Sequence, residues 1–202
     1  MRPSKEERRA QILDCARVVF AEKGYHQATV DDIVALVGVA RGTFYLYFED
    51  KRAALAALVD DFFERMVASI QGIDVSEGAP APTQQLEDNL VRVARLALDD
   101  PAMMKIILHD TAGIDPAFDE KLHAFYGSLR MYLEETLAEG QQLGLVRDGD
   151  RPVMVSLGLG ALKEILLATV TGITPRTPEE LAKEIMRFLE GGLLALAARR
   201  ER

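Results

Sequence analysis

Residues 29–48 read TVDDIVALVGVARGTFYLYF, and the order of cap, apolar positions and glycine in that stretch sets the fold. Thr29 is a helix-capping residue type, and Asp32 three positions later completes a capping-box pattern with Asp in place of Glu. Val30, Ile33, Val34 and Val37 then recur at helical spacing. Gly38 ends that helix, because glycine takes the left-handed conformation a sharp turn needs. Val39 lies inside the turn, and a second short helix is expected from Arg41 to Phe48. Two short helices joined by a Gly turn make a helix-turn-helix.

Residues four apart share a helix face. Phe44 and Phe48 therefore form one stripe, assigned to the core against Ile33 and Val37. Arg41 with Tyr45, and Thr43 with Tyr47, form two further stripes that must then face outward. Gly42 adds no side chain, so a partner's backbone can approach there. Eight residues span about 12 Å of helix, a size that enters the major groove of duplex DNA. There Arg pairs with guanine, while Thr and Tyr reach phosphates or thymine methyls. Lys51 and Arg52, just beyond the helix, are placed to meet phosphates. The competing reading is that exposed tyrosines merely pack on neighbouring helices.

Working outward, the apolar period is helical nearly everywhere and no run reads as a strand. The chain of 202 residues is expected to be all-α, with about nine helices. A first stripe comprises Ile12, Cys15, Ala16, Val19 and Phe20, ended by Gly24; a fourth helix starts near Lys51 and runs to Ile70. Residues 72–83 form a Gly/Pro/Ala loop. Net charge is −8, against general nucleic-acid affinity. Yet residues 1–52 carry a net +1 and the remaining 150 residues a net −9, which suits an N-terminal anion-binding face on an acidic body. The single cysteine, Cys15, excludes an intramolecular disulfide and is expected to be a buried, inert thiol. The most apolar segment, residues 152–172, has a membrane-span length, but Lys163 and Glu164 near its centre argue for a helix of a water-soluble protein. The N-terminus lacks a signal-peptide pattern, so a cytoplasmic location is expected.

The segment TVDDIVALVGVARGTFYLYFEDKRAAL, with the upstream helix RRAQILDCARVVFAEKGYHQATV, resembles the DNA-binding segment of the TetR family of bacterial transcriptional regulators. The resemblance covers about residues 8–58 and centres on G-T-F-Y-x-Y-F-x-x-K. It implies a three-helix DNA-binding domain (residues 1–50), a connecting helix (51–71) and a helical ligand-binding and dimerisation domain (51–202 including that helix). It also implies that Thr29, Arg41, Thr43, Tyr45, Tyr47 and Lys51 contact DNA. Val34 departs from the family's usual alanine at the close approach of the two helices and is expected to splay them slightly. Arg2, Lys5, Arg8 and Arg9 would supply a basic arm along the backbone.

The helices between 84 and 172 are expected to enclose a pocket lined by Met103, Met104, Ile107, Phe118, Leu122, Phe125, Tyr126 and Leu129, with His109 and His123 as polar handles. Its ligand would be an apolar or amphipathic small molecule. The last two helices carry more apolar residues than one buried stripe requires: Val155, Leu159, Leu162, Leu166, Ile185, Phe188, Leu189 and Leu196. These, with nearby glycines, are expected to form a two-fold dimer interface. No metalloprotease, Cys-pair or nucleophile-elbow motif is present, so no enzymatic activity, cofactor or metal is expected. The expected function is a homodimeric, ligand-responsive repressor of a palindromic double-stranded operator. The alternative is a helical ligand-binding or adaptor protein, which leaves the Arg41/Thr43/Tyr45/Tyr47 face without a role.

Overall fold

The computed structural model describes residues 3–109 and 116–192; the side chains of 108, 109, 116–118 and 192 lie outside the description, as does Leu196. Among the described residues run α1 (Lys5–Lys23), α2 (Val30–Val37), α3 (Arg41–Tyr45), α4 (Lys51–Ser69), α5 (Pro82–Asp99), α6 (Pro101–His109), α7 (Pro116–Gln142), α8 (Arg151–Val170) and α9 (Pro178–Gly192). The all-α expectation holds. Among the described residues, contacts group those up to 68 with those from 100 to 119 as one compact unit, and those from 69 to 99 with those from 120 onward as a second.

The first unit is built on α1. Ser4 and Glu7 form a reciprocal capping box at its start, and Gly24 closes it with φ 74° while its N–H bonds Phe20. Ile12, Ala16, Val19 and Phe20 turn inward and α2 packs across them. Thr29 and Asp32 cap α2 as the sequence predicts. Val34 is buried, and its carbonyl accepts both the Gly38 and Val39 amides, so the turn is tied to α2 through this residue. Past residue 50 the unit continues through α4, which buries Leu55, Leu58, Val59 and Phe62 and lines a crevice shared with α1.

Helix α6 also belongs to this first unit. Met103, Met104, Ile106 and Ile107 are buried, and the helix packs on α1. Asp100 caps it, its Oδ1 accepting the Met103 N–H at 3.2 Å. Only 5% exposed, that carboxylate accepts a 2.7 Å bond from Arg17 of α1, and Arg65 of α4 stands 3.8 Å away. A buried charge needs such partners.

In the second unit α9 lies along α5, burying Leu181, Ala182 and Met186 against Val93, Ala94 and Ala97. Asn89 pins the preceding loop to α5: it accepts the Gln71 N–H at 2.8 Å and donates to the Gln71 carbonyl at 2.7 Å. Helix α8 also packs on α5. By length and composition α8 would pass for a membrane span. Exposed Lys163 and Glu164 in its middle would be costly in lipid, and a 2.7 Å bond from Arg130 to Ser156 fastens it to α7.

Candidate functional site

The outward face of α3 is assembled from local rules. Gly38 takes φ 76°, ψ 39°, the left-handed geometry expected of it, and Ala40 leads into α3. Phe44 is fully buried and Phe48 nearly so, their ring centroids 5.7 Å apart. With both rings inward, Arg41, Gly42 and Tyr45 are exposed, and Thr43 and Tyr47 are half-buried beside them. The helix is shorter than the expected span to Phe48. After Tyr45 the chain tightens, Leu46 and Tyr47 donating to the carbonyls three residues back. That leaves Leu46, 75% exposed, at the edge of the same face. Sequence reading missed it because a lone leucine among aromatics looks like core. A Cβ added at Gly42 would meet nothing within 4 Å, so the backbone there is open to approach.

Polar groups on this face are pre-set by their neighbours. The Arg41 guanidinium donates to Asp31 at 3.1 Å and to the Tyr45 hydroxyl at 3.3 Å, and lies 5.8 Å from the Tyr45 ring centre. The bond to Tyr45, then the charge of Asp31, hold it even more firmly protonated than usual. Thr29 uses its hydroxyl inside the capping box, accepting the Asp32 N–H and donating to that carboxylate. Lys51 directs its ammonium at backbone carbonyls of residues 25, 26 and 28. Arg9 of α1 stacks 5.2 Å from the Phe48 ring centre. Cys15 is half-buried, and burial followed by the nearby Asp14 charge pushes its thiol pKa up, away from a reactive thiolate.

The second unit holds a cavity of about 850 Å³. Leu86 and Leu90 of α5, Leu133 and Leu137 of α7, Gly158, Leu159, Leu162 and Ile165 of α8, and Ile185, Phe188 and Leu189 of α9 line it. Glu139, Arg176 and Glu184 are the ionisable residues in the lining. Its size lies near the upper end of ordinary small-molecule sites, which run from roughly 300 to 1,000 Å³.

Residues 12–58 match the sequence profile of the bacterial regulatory proteins of the tetR family. Along nearly the full chain the protein is similar to an uncharacterised HTH-type transcriptional regulator of Bacillus subtilis, 28% identical over 96% of each chain. It is likewise similar to the fatty acid metabolism regulator protein of that organism, 27% identical over 91% of this chain and 94% of the other. Residues 12–58 place the N-terminal part of the chain in the tetR family. Its fold matches the crystal structure of the transcriptional regulator FadR from Bacillus subtilis in complex with stearoyl-CoA, with a TM-score of 0.72, 26% identity, and 91% of this chain and 98% of the other covered. This TetR-family protein is a DNA-binding transcriptional regulator.

Among the described residues, those expected to line the effector pocket do not meet around the cavity. Met103, Met104 and Ile107 are core residues of the first unit. Leu122, Phe125, Tyr126 and Leu129 are half-buried on α7, and His123 is exposed; none of them lines the cavity. Burial raises the Tyr126 phenol pKa, and its ring meets Phe125 edge-on at 5.6 Å. The side chains of His109 and Phe118 lie outside the described residues. Of the residues expected at a dimer interface, Val155, Leu159, Leu162, Ile185, Phe188 and Leu189 are among those that line the cavity. Leu166 is buried in the core, and Leu196 falls outside the described residues. The sequence signal for the remaining lining was the i, i+4 leucine pairs 86/90 and 133/137, which periodicity alone assigns to any buried face.

Proposed function

We propose that this TetR-family regulator is a homodimeric repressor that reads a palindromic operator through α3 and leaves it when an amphipathic small molecule fills the second unit's cavity. The observation that carries the reading is the polar and aromatic face of α3, held outward by the buried pair Phe44 and Phe48. Arg41 and Tyr45 are the proposed base-reading pair, Thr43 and Tyr47 the flanking contacts, and Gly42 the point of closest approach. Thr29, at the start of α2, would reach a phosphate only by turning its hydroxyl hydrogen from the Asp32 carboxylate to a phosphate oxygen, its own oxygen still accepting the Asp32 N–H.

Two of the matches bear on the ligand: a Bacillus subtilis relative is named as a regulator of fatty acid metabolism, and a similar Bacillus subtilis structure was crystallised with stearoyl-CoA. A cavity of about 850 Å³ walled by leucines from four helices suits a long acyl chain. Arg176 is the cation in its lining and the proposed neighbour of an anionic headgroup. Release requires only that the ligand bind the DNA-free conformation more tightly than the DNA-bound one. Exposed Val153 and Leu157, one turn apart on α8, with exposed Phe188 on α9, are the proposed centre of the dimer contact. The protein acts on the chromosome, hence in the cytoplasm, and its role is regulatory and not catalytic.

The test is fluorescence anisotropy on a duplex enriched from a random pool by the wild-type protein. Arg41→Ala and Tyr45→Ala should each weaken binding by about 1–3 kcal/mol, roughly 5- to 150-fold, while remaining folded. Stearoyl-CoA is the first release probe. Undiminished affinity in both variants would move the reading face elsewhere.

A further inference from the structure

Lys51 opens α4, and the family resemblance makes it a DNA contact. An ammonium has three N–H donors and no acceptor. Here its Nζ lies 2.7 Å from the Tyr25 carbonyl, 3.3 Å from that of His26 and 2.8 Å from that of Ala28. Each N–H thus has an acceptor already. The same nitrogen stands 4.5 Å from the centre of the Tyr25 ring, which is itself buried against Phe20 at 5.7 Å. From these contacts we infer that Lys51 is a positioning residue, fastening the start of α4 to the segment that launches α2, and not a phosphate ligand.

The segment it grips explains the role. Gly24 stops α1, and the Ala28 N–H folds back to the Gly24 carbonyl at 3.1 Å. Ala28 is buried and immediately precedes Thr29, the cap of α2. Lys51 therefore holds one end of the helix-turn-helix at three carbonyls, and Phe44 and Phe48 hold the other. A phosphate would claim the ammonium only by stripping those bonds and leaving their carbonyls, two of them on buried residues, without the cation. Partial burial lowers the pKa of this lysine, so the slow acylation expected below would report its hydrogen bonds and not its charge state.

The inference shares with the proposed function only the premise that α3 reads DNA, and it can be tested partly without that premise. Wild-type protein is acetylated with a succinimidyl ester, free and with the enriched duplex, and the modified lysines are read by mass spectrometry. Lys51 should react more slowly than exposed Lys5 already in the free protein, with no further protection on DNA. Reaction as fast as Lys5, followed by protection on DNA, overturns the inference. Lys51→Met and Lys51→Arg are then titrated with the enriched duplex and with random-sequence DNA over a range of salt. The slope of log affinity against log salt should stay at its wild-type value in Lys51→Met, while the preference for the enriched duplex falls and Lys51→Arg restores part of it. A slope shallower by about 1 means a lost phosphate contact and overturns the inference. So does an unchanged preference accompanied only by a lower melting temperature, which is a purely structural role. Failure of the DNA-reading assignment would show separately, as wild-type protein that enriches no sequence, and the free-protein labelling would still decide whether the ammonium is held.

Discussion

Asp32 shows how one side chain serves several tasks at the reading unit. Its carboxylate accepts a 2.7 Å bond from Lys23 of α1 and further bonds from the Thr29 amide and hydroxyl. The bond from Lys23 is the largest cause, with those from Thr29 next, of a pKa lowered to about 2. An unfolded aspartate titrates near 3.9, so the unfolded chain takes up the proton first as pH falls. The stabilisation is complete above that ordinary value and is lost as pH drops toward about 2. Thermal melts followed by circular dichroism should therefore show wild-type protein falling more steeply than Asp32→Asn between roughly pH 4 and pH 2, the two curves converging at the acid end. Parallel curves would mean that the capping box and the Lys23 bridge contribute nothing in solution.

At the scale of elements, the turn between α2 and α3 depends on one backbone conformation. Gly38 sits at φ 76°, and a Cβ there would meet nothing within 4 Å. Gly38→Ala should thus cost only the left-handed backbone penalty, roughly 1–2 kcal/mol, while Gly38→Asn should cost less because Asn tolerates that region. Chemical denaturation separates the two. The helix-turn-helix was readable from sequence because its determinants are local: a cap, a glycine and aromatic residues four apart. Helix α6 was not readable in that way. Met103, Met104 and Ile107 look like adaptable pocket lining, and what makes them core is α1, more than eighty positions earlier in the chain. The buried Asp100 is the same case, its Arg17 partner being 83 positions away. Removing that partner in Arg17→Met should destabilise the protein by about 1–3 kcal/mol, since the buried carboxylate keeps only the weaker Arg65 contact and its backbone bond. The surplus of apolar residues on α8 and α9 was visible too, but periodicity does not say whether a surplus faces a cavity or a second subunit.

For the whole molecule, the proposed reading face on α3 is small, which would make association decisive. Five helical residues with a handful of outward groups offer few base contacts, and the chain carries a net charge of −8. Joining two copies turns the second half-site into an intramolecular encounter, which raises affinity without any new contact to a single half-site. Leu157 is the residue on which to test this. It is 68% exposed on α8, it does not line the cavity, and Val153 one turn earlier is 53% exposed. A glutamate at that position disturbs no core packing, so Leu157→Glu should keep the wild-type circular dichroism spectrum and melting behaviour of the folded chain. In sedimentation velocity it should shift the dimer toward monomer. In anisotropy it should lose most affinity for a two-half-site duplex while binding a single half-site like wild type. Equal loss on both duplexes would mean that the substitution damaged the reader itself. No loss on either, with the protein still dimeric, would place the contact on another surface and leave the exposed apolar stripe of α8 to a different partner.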